Sequence, residues 1–163
     1  MDQKEIASLM QTLTTGIYGI GAHANDQSRI FTASWVMPVS FDPVLLAVSI
    51  NPQNRSYGLI KESQRFSINV IKGEDLYLAE QMAAPGDRLS MIAWQPGLNG
   101  CPLIDEALAH LECEVIHEVT AGDHQLVVAR LCTGKLLKPK ATPLLYADTG
   151  SLDGAAALFP ERI

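Results

Sequence analysis

TASWVMPVSFDPVLLAVSI, residues 32–50, packs a small-polar turn, a proline break and an unbroken apolar run into nineteen residues. Val44 to Ile50 is apolar on both faces apart from Ser49, and it is bounded by Pro43 and Asn51-Pro52. A β-branched and aliphatic run of that length reads as a fully buried strand, which belongs in the interior of a sheet. Ahead of it, Thr32, Ala33 and Ser34 offer two hydroxyls and a small side chain, where backbone N–H groups can approach a ligand closely. Trp35 then presents a large flat surface.

Upstream, His23 to Ser28 is a polar turn holding Asn25-Asp26, which predicts a hairpin into Ile30-Phe31 and the Thr32 segment. Residues 14–21 mix β-branched residues with glycines and predict a first strand that lets another backbone come close. Ile6, Leu9, Met10, Leu13 and Ile17 recur at helical spacing, so a short N-terminal helix is expected. Downstream, the loop from Asn51 to Tyr57 carries Asn51, Asn54, Arg55 and Ser56 just before Gly58-Leu59-Ile60 starts a helix. Free N–H groups at a helix start and one guanidinium suit a phosphate; an ordinary polar loop with a serine cap is the plainer alternative.

Phe66, Ile68 and Val70 alternate with Ser67 and Asn69, the pattern of a half-buried strand, and Leu76, Ala79, Met82 and Ala83 predict a helix. Leu111, Cys113, Val115, His117 and Val119 alternate with Glu112, Glu114 and Glu118, a strand with one wet acidic face. Across Gly122-Asp123-His124 a second apolar strand, QLVVARLCTGKLL, completes an antiparallel hairpin. Cys113 and His117 share a face but have no third ligand at matching spacing, so no metal site is expected.

T-A-S-x-x-x-x-V-S-x-D-P before a buried strand ending in Ile50-Asn51 resembles the flavin reductase family of the FMN-binding split barrel. Gly122-Asp123-His124 is similar to that family's G-D-H turn, Phe66 to Ile71 to its F-x-x-N-V-L strand, and Cys101 to Cys113 to its G-x-P-L…A-x-L-E-C segment. Pro143 to Tyr146 resembles its final P-L-L-Y strand, and the likeness runs over roughly residues 6–147 in the family's order. The wording NGCPLIDEALAHLECEV is closest to the flavin reductase module of multidomain diflavin flavoproteins, here expected to stand alone.

The resemblance implies a mainly β fold: a six-stranded antiparallel split barrel with Greek-key connections and a few peripheral helices. It implies a homodimer binding FMN, with FAD as the other flavin, and NAD(P)H as hydride donor. Thr32, Ala33, Ser34 and Trp35 would hold the flavin ring, with Asn69 near it and Ser49 among the cofactor-binding residues, while Asn51, Arg55, Ser56 and Tyr57 would hold the ribityl phosphate. His124 would shape the nicotinamide side as the catalytic residue. Trp35 stands where the family often has a smaller residue, which bears on the width of the pocket. An NAD(P)H:flavin reductase, an FMN-bound electron carrier serving a protein partner, and a binding relative on the same barrel all remain open, the motifs favouring the first two.

Length and charge agree with this reading without selecting it. The 163 residues, 47% of them hydrophobic, are expected to form one domain burying about two thirds of its unfolded surface. A net charge of −6 with scattered Lys and Arg gives no footprint for nucleic acid. Three unevenly spaced cysteines make no disulfide framework and MDQKEIASLM no secretory pattern, so a cytoplasmic protein without a membrane span is expected. SLDGAAALFPERI at the end is expected to pack on a partner subunit or to be partly disordered.

Overall fold

Asn25 and Asp26 both adopt positive φ, 49° and 58°, and reverse the chain in two residues. That is the pairing a type I′ hairpin demands, and it joins β1 (Tyr18–Ala24) to β2 (Gln27–Ala33) in the register Ala24↔Gln27. A second two-residue turn, with Gly122 at φ 66° in its first position, joins β8 (Ala109–Ala121) to β9 (His124–Leu136). In this computed structural model, which describes residues 1–149, these hairpins meet in one antiparallel sheet. The sequence-predicted tail beyond Gly150 lies outside the described residues.

β3 (Val36–Phe41), β4 (Val44–Ile50) and β5 (Arg65–Val70) complete that sheet in the order β2-β1-β5-β8-β9-β4-β3. The mainly β expectation holds; the strand count does not, since the sheet has seven strands rather than six and its outer strands β2 and β3 do not pair with each other. The added strand is β3, which reads as a proline break in the sequence. Pro38 cannot donate to a ladder, so this strand sits at an edge, with its register shifted between Pro38 and Ser40. β4 lies between β3 and β9, an interior strand as its apolar run predicts, but it is not fully buried: Leu46, Ala47, Val48 and Ile50 are, while Val44 is 43% exposed beside the edge strand β3.

A small second sheet pairs β6 (Trp94–Pro96) with β7 (Pro102–Ile104). It covers the outer face of β5, which is why Ser67 and Asn69 are fully buried rather than on the wet side of a half-buried strand. β8 departs from simple alternation too. Register shifts at Glu112/Cys113 and Val115/His117 bury Glu112 beside Cys113 and leave His117 exposed, so the pair proposed to share a face does not. Glu112 accepts from the Asn99 N–H at 2.9 Å.

Three helices pack around the sheet. α1 (Gln3–Met10) is closed by a capping box, with Asp2 accepting from the Glu5 N–H at 2.8 Å and Glu5 from the Asp2 N–H at 2.7 Å. It ends before Leu13 and Ile17, shorter than the helical spacing suggests. α2 (Arg55–Ser63) begins three residues earlier than Gly58, because the Asn54 side chain caps it by accepting from the Ser56 N–H. α3 (Leu76–Ala83) follows β5. Pro143 to Tyr146 forms isolated bridges to Lys72 and Gly16 rather than a full strand. One buried cluster collects Ile20, Phe31, Val48, Phe66, Val115 and Val127, one from each strand of the large sheet other than β3. No helix among the described residues is long and apolar enough to cross a membrane.

Candidate functional site

Two segments, residues 27–35 and 49–56, pass between two depressions of opposite character. The first is an apolar groove of about 320 Å³ lined by Trp35, Val36, Met37, Ala47, Ser49 and Leu126, with Met10, Leu13 and Tyr146 closing it. The second is a polar recess of about 810 Å³ lined by Ser28, Arg29, Gln53, Asn54, Arg55, Ser56 and residues 86–89. Arg29 and Trp35 are six residues apart, so at about 3.3 Å per residue of extended chain the two lie at most on the order of 20 Å apart.

The groove is assembled by backbone pairing. The Ser49 N–H donates to the Trp35 carbonyl at 3.0 Å, which fixes the tryptophan against the end of β4. The Trp35 ring meets the His124 ring at 5.1 Å between centroids, tilted by 46°. His124 is aimed by the turn before it, and its Nδ1 lies 2.8 Å from the Asp123 carboxylate. The hydrogen bond and charge of His124 hold the Asp123 carboxyl below its ordinary range. With Asp123 accepting from Nδ1–H, Nε2 is the ring's remaining polar atom. Ser34 is buried, and its carbonyl accepts from the Val36 N–H at 3.1 Å, turning the chain from β2 into β3.

The recess takes its charge from three arginines. Arg55 opens α2 beside Ser56, whose N–H is already engaged by Asn54. Arg29 arrives on β2. Arg88, in a 3-10 turn at Arg88–Met91, is pinned by donating to the Ala84 carbonyl at 2.6 Å and the Ile30 carbonyl at 3.2 Å. Burial first, then the Arg29 charge, lower the Arg88 pKa. Arg29 and Arg88 were not singled out from sequence: one follows a hairpin turn and the other lies where no periodicity exists. Their only sequence signal is nearness to the turn residues Asn25-Asp26 and Gly86-Asp87.

The structure thus brings Trp35, Ser49 and His124 together, and separately Arg55 and Ser56. It leaves others outside. Asn69 is 0% exposed and does not reach the groove: its Nδ2 donates to the Gly19 carbonyl at 3.0 Å and the Pro102 carbonyl at 3.1 Å, while Oδ1 accepts from the Ile104 N–H at 2.7 Å. Tyr57 does not face the recess either, because it points into the core and donates to Glu118 at 2.7 Å; burial, then that carboxylate, push its phenol up to about 12. Thr32 bonds the Ala79 carbonyl of α3 at 3.4 Å, Ala33 packs in the core, and the Asn51 side chain accepts from the Gln53 N–H at 2.9 Å. Among the described residues no group of three His, Cys, Asp or Glu could hold a metal ion.

Residues 10–154 match the flavin reductase like domain. The chain belongs to that family. It is 31% identical over 150 residues to the flavin reductase (NADH) of Kitasatospora aureofaciens, covering 90% of this chain and 78% of that protein. It is also 27% identical over 139 residues to diflavin flavoprotein A 1 of Synechocystis sp., covering 82% of this chain. The chain spans about a quarter of the length of the diflavin flavoproteins it matches. Among solved structures, the flavin reductase PheA2 superposes with a TM-score of 0.80 at 28% identity, covering 91% of this chain and 95% of that one. Component B of nitrilotriacetate monooxygenase from Mycobacterium thermoresistibile gives a TM-score of 0.84 at 25% identity, covering 91% and 84%.

Proposed function

We propose that the chain is an NAD(P)H:flavin oxidoreductase that transfers a hydride from a nicotinamide nucleotide to a flavin. The observation that carries this reading is the pairing of a Trp35-lined apolar groove with an arginine-lined recess one strand length away. A flavin has that division of character: a flat apolar ring system at one end and a phosphorylated arm at the other. The donor set fits it. Trp35 and Leu126 offer apolar surface, Ser49 a hydroxyl, and Arg55 with the first turn of α2 the charge for a phosphate.

The bound flavin supplies the hydride acceptor, and the balance is NAD(P)H, flavin and one proton giving NAD(P)⁺ and reduced flavin. The protein's part is to bind and orient. Trp35 and the groove exclude water from one side of the ring; His124, held by Asp123, borders the space left for the nicotinamide. FMN, FAD or both can satisfy this arrangement. On this reading β1, β2, β4, β5, β8 and β9 form the family's split barrel with Greek-key connections, and β3 is an added edge; a core cluster to which each of those six strands contributes buried residues supports it. Residues 1–163 act as one domain. A cytoplasmic setting accords with three free cysteines, Cys101 and Cys113 being buried with thiols pushed up to about 12 by that burial.

The second reading, a flavin-bound carrier passing electrons to a protein, draws on the match to the diflavin flavoproteins. A visible spectrum of the purified protein with added flavin, followed by anaerobic NADH and then NADPH, separates the two. Rapid bleaching of the flavin bands is the expected result. Bands that persist would move the assignment to the carrier, and a failure to bind any flavin would end both.

A further inference from the structure

We infer that a further cavity, between the small β6–β7 sheet and the strands β8 and β9, is a separate binding site for a zwitterion, a free amino acid with an apolar side chain. The cavity has a volume of about 670 Å³ and shares no lining residue with the groove or the recess, so the inference does not depend on the flavin reductase reading. Strand register builds its floor. His110 stands opposite Lys135 and Glu112 opposite Thr133, and residues two apart on a strand share a face, so these four side chains leave the β8–β9 hairpin on one side. The roof is the β6–β7 turn, which comes so near that a Cβ on Gly97 would lie 2.6 Å from the Glu112 carboxylate.

His110 and Glu112 are only 7% and 6% exposed, yet each keeps one polar atom without a partner among the described residues. The Ile104 carbonyl can only accept, so His110 donates to it from Nε2 at 2.6 Å, and Nδ1 of the neutral ring is left as an acceptor. Glu112 accepts from the Asn99 N–H through Oε2, and Oε1 is left over. Neither atom is sealed in protein: both residues line the cavity. Acceptors so far from bulk water call for a donor. Lys135 forms no ion pair among the described residues, and Asp105, engaged by Gln95 Nε2 at 3.3 Å through one oxygen, lines the cavity as well. The walls therefore carry both signs of charge without neutralising them. A protonated amine donates three hydrogen bonds and suits His110 Nδ1 and Glu112 Oε1, while a carboxylate suits Lys135. An α-amino acid holds both groups in one small head. Leu103, Leu137 and Leu98, the last 91% exposed, leave apolar surface for its side chain. The volume lies in the range of small-molecule sites, roughly 300–1,000 Å³.

The test is titration calorimetry of the full chain, free of flavin, with leucine, phenylalanine and glycine, and with 2-phenylethylamine and 3-phenylpropionate as the amine and the acid alone. Leucine or phenylalanine should bind about tenfold tighter than glycine, and phenylalanine about tenfold tighter than either of its singly charged analogues. Lys135→Glu removes the partner of the carboxylate and should weaken phenylalanine about tenfold while leaving 2-phenylethylamine bound at least as tightly as in wild type. Circular dichroism of that variant should be unchanged, because the native side chain is exposed and makes no hydrogen bond among the described residues. Saturating phenylalanine should leave the affinity for riboflavin within about twofold. No binding of leucine or phenylalanine at millimolar concentration would overturn the inference. So would 3-phenylpropionate bound as tightly as phenylalanine, which would reduce the site to an ordinary lysine contact, or equal losses of phenylalanine and 2-phenylethylamine in Lys135→Glu. Competition between phenylalanine and riboflavin would move the ligand into the groove and overturn it too, whereas a chain that binds the amino acid and no flavin would remove the reductase reading alone.

Discussion

Asn69 was expected beside the flavin, and its neighbours give it a different duty. All of its polar atoms are tied to the backbone of β1 and β7, so it fastens the small sheet onto the large one. Replacing it by leucine strands the Ile104 N–H and the Gly19 carbonyl in a dry interior, at a cost of about 3 kcal/mol. For a chain of this size that is a fall of roughly 10 °C in Tm. The flavin dissociation constant of the folded Asn69→Leu protein should change less than about twofold. A variant of normal Tm that no longer binds flavin would put Asn69 back in the site. Trp35 shows the reverse. It is tied to Ser49 through the backbone and to His124 through its ring, so it narrows the groove as a fixed wall.

The elements most legible in the sequence were those whose signal is local. Asn25-Asp26 and Gly122-Asp123 each announce a hairpin, and Val44 to Ile50 announces an interior strand though not its exposed start, because backbone sterics and apolar run length need no distant partner. What was illegible depends on contacts far along the chain. The burial of Ser67 and Asn69 requires β7, thirty-odd residues later, and the face of Glu112 and His117 depends on bulges that alternation cannot announce. The link between β5 and α3 belongs to the same group. Lys72, a charged residue on a short loop, is buried by the bridge to Pro143 and holds Asp75 at 3.0 Å and Glu106 at 3.2 Å, with Glu74 at 3.9 Å. The bond to Asp75 raises the Lys72 pKa, and the bond to Lys72, helped by Lys138, lowers that of Glu106. A raised lysine contributes stability below about pH 10.4 and loses it as pH climbs through the folded value; a depressed glutamate contributes above about pH 4.3 and loses it as pH drops through the folded value. Lys72→Met should therefore cost about 1–2 kcal/mol near neutrality, read as a Tm gap that holds from pH 5 to 9 and narrows at both extremes. A gap independent of pH would mean that packing of the lysine stem, not the ion cluster, is what β5 and α3 share.

At the scale of the molecule, the unresolved demand is an apolar face. Phe41 is 94% exposed, Met37 53% and Val39 44%, all on the edge strand β3; Leu9 and Met10 on α1 and Leu13 after it stand exposed, and Met10 and Leu13 line the groove together with Met37. An edge strand carrying large apolar side chains is a pairing surface, and charged residues that would blunt it are missing between Val36 and Phe41. A second copy of the chain is the occupant that the homodimer expected from the family resemblance calls for, and it would cover the groove proposed for the flavin ring. Phe41→Asp puts a carboxylate at the most exposed of these positions without touching the core. Light scattering behind size exclusion should find wild type at twice the chain mass at micromolar concentration and the Phe41→Asp variant at the chain mass, with a weaker hold on flavin. The substitution leaves the core unaltered, so circular dichroism should be unchanged while riboflavin affinity falls. A wild type that is monomeric at those concentrations, or a monomeric variant with undiminished riboflavin binding, would mean that one chain encloses the ring by itself.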